Sequence, residues 1–116
     1  MMTNTEQIEY ARKLFDDCLH ILESKGKAYS GADDAHANFK QTAGKIGNTE
    51  YQVWATYFGK HVDCIMRAIK ANPSAPVDDT EGLRGRILDA VNYLAILVGM
   101  ISEMQKNKTH IFHHHA

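Results

Sequence analysis

The chain is expected to be all-α, an antiparallel bundle of three long helices and one short helix, and three observations predict this. Apolar residues recur at three- and four-residue spacings over three long segments. No run alternates apolar and polar residues as a half-buried strand would. Glycine and proline clusters fall between the periodic segments and not inside them, apart from isolated glycines.

The first helix is expected from about Thr5 to Ser24. Thr3 and Glu6 have the spacing of a capping box, and Ile8, Ala11, Leu14, Phe15, Cys18, Ile21 and Leu22 fall on one packed face. Its carboxylates, Glu6, Glu9, Asp16, Asp17 and Glu23, read as a solvated surface. Gly26, Ser30 and Gly31 should break it, and Asp33-Asp34 suit the first turn of a short second helix ending near Thr42, with Gly44 and Gly47 beyond. This Lys-rich connector also carries Tyr29, His36, Asn38 and Phe39, a mixture that serves either a ligand contact or a cover for the core.

The third helix should run from Thr49 to Asn72, opening on the capping pair Thr49 and Gln52 and stopping at Asn72-Pro73. Val53, Tyr57, Phe58, His61, Ile65, Ala68 and Ile69 make its packed face; Lys60, Asp63 and Arg67 share a neighbouring stripe with the spacing of an ion-pair ladder. Trp54 fits a core, an interface or a stacking platform. A rigid Pro-containing turn over 72–80 leads to the last helix, with Asp79 or Thr80 as its N-cap.

That last helix, Thr80 to Met104, organises the chain. Leu83, Ile87, Leu88, Val91, Leu94, Ile96, Leu97 and Ile101 give it a broad apolar side, whereas its first half also carries Glu81, Arg84, Arg86, Asp89, Asn92 and Tyr93. It has a core end and a polar end, and the polar end is where function is expected. The apolar arc is wider than three neighbouring helices in one chain cover, so a homodimer or higher oligomer is expected. The domain is read as residues 1–104, with a tail over 105–116 whose His113 to His115 offer at most an adventitious metal site.

With 116 residues the chain makes one domain, and 13 basic against 14 acidic residues leave no basic excess for duplex nucleic acid. Its two cysteines, Cys18 and Cys64, lack paired spacing and read as reduced thiols. There is no secretory leader pattern at the start, and the longest apolar run, Tyr93 to Met100, is short for a membrane span. A cytoplasmic protein without membrane partners is expected.

Lys25 and Tyr29, then Asn38-Phe39, then Trp54, Tyr57 and Lys60-His61, then Glu81-Gly82-Leu83 followed by Asp89, Asn92 and Tyr93 form an ordered set. In this order the chain resembles the nucleotide modification associated domain 1 family, small and largely phage and bacterial proteins distantly akin to the all-α MazG-like nucleoside triphosphate pyrophosphatases. The resemblance implies a nucleotide pocket between helices, in which clustered carboxylates hold Mg²⁺ against the phosphates. Two acids of that pattern are absent: Ala28 stands before Tyr29, and Arg86 stands three residues before Asp89.

Candidate ligand-binding residues are therefore Lys25, Lys27, Tyr29, Asn38, Lys60, His61, Arg84, Arg86, Asp89, Asn92 and Tyr93, with Arg86 joining Arg84 and Lys25 or Lys27 on an anion or else neutralising Asp89. An Asn in so apolar a stretch needs partners, so Asn92 is expected to meet a ligand or a neighbouring chain. The leading expectation is a non-catalytic binder of a phosphorylated nucleotide, cyclic signalling nucleotides included, needing no cofactor. The alternatives are a Mg²⁺-dependent pyrophosphohydrolase using Glu81, Asp89, Asp63 and the Asp33-Asp34 pair, and a helical oligomer that binds protein alone.

Overall fold

The computed structural model describes residues 1–30, 34–77 and 82–113, and the side chains of these outside 26–30 and 109–113. Four helices, α1 (Asn4–Ser30), α2 (Ala37–Ile46), α3 (Glu50–Ala71) and α4 (Leu83–His113), account for the secondary structure, and no strand occurs among the described residues. The chain is all-α, as its periodicity requires.

Helix starts follow local chemistry where a cap is present. Thr3 Oγ1 accepts from the Glu6 N–H at 3.1 Å while the Glu6 carboxylate accepts from the Thr3 N–H at 3.3 Å. Thr49 and Gln52 repeat the arrangement at α3, with bonds of 3.2 and 2.8 Å. Each box satisfies two donors that a helix start otherwise leaves open.

Helix boundaries elsewhere differ from expectation. Gly26 does not break α1, which runs on to Ser30. A single glycine costs a formed helix only about 1 kcal/mol, less than a fresh nucleus would demand of the next segment. α2 starts at Ala37, after the Asp33-Asp34 pair, of which Asp33 lies outside the described residues. Asp34 instead shapes the preceding turn, its Oδ1 accepting from the His36 N–H at 2.9 Å and its carbonyl from the Ala37 N–H at 3.3 Å. α2 passes Thr42 and Gly44 and ends at Gly47, whose φ of 71° is a left-handed cap suited to glycine.

α4 begins after Gly82, which has φ 77°, and continues past Met104 to His113. Helical backbone persists there without packing, since residues 105–108 are exposed. The expected N-cap at Asp79 or Thr80, and Glu81, lie outside the described residues. By length and composition the stretch Leu83–Lys108 is apolar enough to cross a membrane. Counting only uninterrupted apolar residues hid this, because Asn92, Gly99 and Ser102 interrupt the run without lowering its average far.

α4 is the common partner. It packs on α3 and on α1, while α2 packs on α3 and touches α1. α3 and α4 are antiparallel: Tyr51 donates to the Met100 carbonyl at 3.2 Å, Trp54 Nε1 to the Tyr93 carbonyl at 2.7 Å, and further along His61 faces Asp89. The indole, stacked on Phe58 at 4.8 Å, thus ties two helices together. α1 meets α4 around Cys18, whose carbonyl accepts from Asn92 Nδ2 at 3.1 Å and whose thiol approaches the Leu88 carbonyl at 3.7 Å.

Phe39, Ala43 and Val53 form the core with Trp54, Tyr57, Tyr93 and Ile96 packed against them, and Met100 is completely enclosed. This core is small. Ile8 and Phe15, expected on the packed face of α1, are 53% and 54% exposed, and Ile69 of α3 is 44% exposed. The periodicity marked a real apolar stripe on each helix, but the other described helices cover only part of it.

Candidate functional site

Asp89 stands at the centre of the polar end of α4. Its carboxylate is 3.9 Å from Lys25 Nζ on α1 and 3.9 Å from His61 Nδ1 on α3, so three helices converge on one acid. Both separations exceed hydrogen-bond range. His61 Nδ1 is buried and makes no hydrogen bond among the described groups, and its ring lies tilted against Tyr93 at 5.1 Å.

These groups form one end of a half-open cavity of about 630 Å³ between the helices. Lys25, Asn38, His61, Asp89, Asn92 and Tyr93 all line it, six of the residues that the sequence singled out. Ile21, Leu22, Phe39 and Ile96 supply the apolar wall. Beside it lies a second depression of about 470 Å³, lined by Lys60, Arg67 and Arg86 with Asp63, Cys64 and Tyr57. His61 and Tyr93 belong to both and form their common boundary.

Three expectations are corrected here. Arg84 does not join Arg86: its guanidinium binds Asp17 of α1 at 2.7 Å, and it lines neither cavity. Two residues apart on a helix point to nearly opposite sides, so the pair cannot converge. Asn92 Nδ2 finds a partner within the chain, the Cys18 carbonyl, so its burial needs no neighbouring chain or ligand, although the residue also lines the larger cavity. Lys60, Asp63 and Arg67 form no ion-pair ladder among the described residues; Arg67 reaches back to the Asp63 carbonyl at 3.4 Å and to the Cys64 sulfur at 3.6 Å. Lys27 and Tyr29 lie outside the described side chains.

Sequence reasoning missed a second polar cluster. Asp34, His36 and Glu103 bring ligand atoms within 4.8 Å of one another, a set that could hold a metal ion. Lys40 Nζ already stands 3.0 Å from each carboxylate and offsets one of their two charges. Its hydrogen bonds to Asp34 and then Glu103 push the Lys40 ammonium pKa up, and the His36 N–H followed by Lys40 holds the Asp34 carboxyl below its usual range. Asp34 and His36 were visible as neighbours, but Glu103 comes from the far end of α4. His36 fits there because Gly99 opposite it has no side chain; a Cβ would lie 3.2 Å from His36 Nε2.

Both cysteines are free, and burial, with Asp17 second, raises the Cys18 thiol pKa. Cys18 is thus a packing residue. No protein-family model, curated protein or solved structure matches this chain.

Proposed function

We propose that the chain binds a phosphorylated nucleotide across the paired cavities and does not hydrolyse it. The observation that carries this reading is the juxtaposition of an apolar, aromatic-edged cavity with a depression lined by three cations, the two meeting at His61 and Tyr93. The first is within the size range of small-molecule sites and suits a base and sugar; the second suits phosphate oxygens. Buried His61 Nδ1 and the Asp89 carboxylate, which face each other outside bonding distance, offer a donor and an acceptor for the polar edge of a base.

Hydrolysis is disfavoured by the acids at hand. Mg²⁺ takes near-octahedral oxygen ligation from one or two carboxylates together with substrate phosphates and waters, and neighbouring cations compete with it for those carboxylates. Asp89 is the one carboxylate lining the larger cavity among the described residues, and Lys25 and His61 already attend it. Asp63 sits in the smaller depression among cations.

The test is incubation of the purified chain with nucleoside triphosphates and cyclic nucleotides, with and without Mg²⁺, followed by chromatography before and after heat denaturation. Depletion by the native chain and unchanged release on heating is the expected result. Pyrophosphate and monophosphate would replace it with the hydrolase reading, and no depletion across the panel would leave protein binding as the function. For the ligand that binds, Arg86→Glu should weaken binding roughly ten- to hundredfold, since it removes a charge-assisted bond and adds repulsion. Far-UV circular dichroism should be unchanged. Tighter binding of that variant in Mg²⁺ would overturn the anion role of Arg86.

A further inference from the structure

The outward side of α4 carries Ile87, Val91, Leu94, Val98 and Ile101 at successive spacings of four, three, four and three residues. That is the heptad seam of a coiled coil, with valine at one core position and isoleucine or leucine at the other. The seam faces outward, with Val91 half-buried at its edge: Ile87 is 37% exposed, Leu94 48%, Val98 66% and Ile101 36%. α1 reaches α4 beside it, through Asp17 to Arg84 and Cys18 to Leu88, and leaves its own Phe15 and Leu19 exposed at 54% and 57%.

We propose that a second copy of this chain covers this seam, the two α4 helices packing knobs-into-holes about a two-fold axis. The area calls for such a partner. The chain exposes 8746 Å², whereas a folded monomer of 13.0 kDa exposes about 6,300 Å². The excess, about 2,400 Å² over the whole chain, falls in the range that obligate dimers bury. The α4 seam contributes part of it, beside the unpacked helix end and the exposed apolar residues of α1. A radius of gyration of 17.3 Å against about 13 Å for a compact chain of this length tells the same story of an open protomer.

Self-association is favoured over other occupants by charge. No charged residue lies between Asp89 and Glu103, so two copies of the seam meet without like-charge repulsion. Of the positions flanking it, Ala90, Ala95 and Ser102 are small and let helices approach closely. Leu83–Lys108 is long and apolar enough to cross a bilayer. Its uncharged part, however, is bounded by Asp89 and Glu103, about 21 Å of helix against a hydrocarbon core of about 30 Å, and vesicle insertion is one outcome of the test below. Exposed Arg12, Lys13 and Asp16 alternate with the apolar residues of α1.

Sedimentation equilibrium of the full chain at micromolar concentration, without nucleotide, tests this. The wild type should sediment at twice 13.0 kDa. V98E alone and V98K alone should each lose dimerisation by at least about a hundredfold in dissociation constant, and an equimolar mixture of the two should restore it. Met66→Glu, at a 62% exposed apolar position on α3, should remain dimeric. If a V98 variant loses helicity alone and regains it on mixing, the seam is confirmed as part of a shared core. The proposal is overturned if the wild type is a monomer, or enters phosphatidylcholine–phosphatidylglycerol vesicles as one. It is equally overturned if V98E and V98K associate like wild type, if mixing restores nothing, or if M66E dissociates as they do.

Discussion

At the scale of single residues, the two polar clusters differ in how completely their charges are answered. Asp89 stands 3.9 Å from both Lys25 Nζ and His61 Nδ1, whereas Lys40 lies at 3.0 Å from both Asp34 and Glu103. The first arrangement retains bonding capacity for a ligand; the second is already an ion-paired clasp between the α2 start and α4. A depressed carboxyl contributes stability that is full above its unfolded value, near 3.9, and is lost as pH falls through the lower folded value. The raised Lys40 contributes fully below the ordinary lysine value, near 10.4, and loses its contribution as pH rises through the higher folded one. The clasp should therefore hold from about pH 4 to about pH 10. Its side chains are about two-fifths exposed, so screening keeps the global effect small. Amide shifts of His36 should report the acid limb, titrating below pH 3.9; a midpoint at or above that value would contradict the clasp.

At the scale of elements, caps decide starts while tertiary neighbours decide which faces matter. Both capping boxes form from residues three apart in sequence, and such local bonds need no distant partner. Thr49→Ala should destabilise the protein by about 1 kcal/mol in chemical denaturation, with the slope unchanged. An effect below a few tenths would mean that α3 is held by packing alone. Gly26 shows the converse: its residue type suggested a break, but a helix already propagating tolerates it. The apolar stripe on the first half of α1 was legible as a stripe, yet Ile8 and Phe15 are exposed: α1 meets α4 through Asp17 and Cys18, and Phe15 lies off that contact.

At the scale of the whole molecule, a small core is set against a large exposed apolar surface. Met100 alone among the described residues has a side chain of less than 2% exposure, and the structure extends over 53 × 36 × 25 Å. If folding and association are coupled through α4, the thermal midpoint should rise with protein concentration, as mass action requires of a dimer without a stable monomer. A midpoint constant over a hundredfold dilution would show a self-sufficient monomer. The cavity at the polar end of α4 lies between helices of one chain, so the proposed nucleotide binding and the proposed association are separable by experiment.

The sequence by itself determined the all-α class, the three long helices and the short one, both capping boxes, and the residues Asn38, His61, Asp89, Asn92 and Tyr93 with Lys25 as a polar set worth following. These are legible because helix periodicity and capping are local, and because polar groups in apolar helices stand out against their surroundings. Tertiary structure alone decided that Arg84 belongs to Asp17 and not to an anion, that Asn92 serves the Cys18 carbonyl, and that Glu103 meets Asp34 and His36. It also separated the buried side of α4, at Leu88, Asn92 and Met100, from the outward seam that runs beside it. The reason is geometric: spacing places residues on a face, but only the crossing of helices determines which face meets protein and which meets solvent.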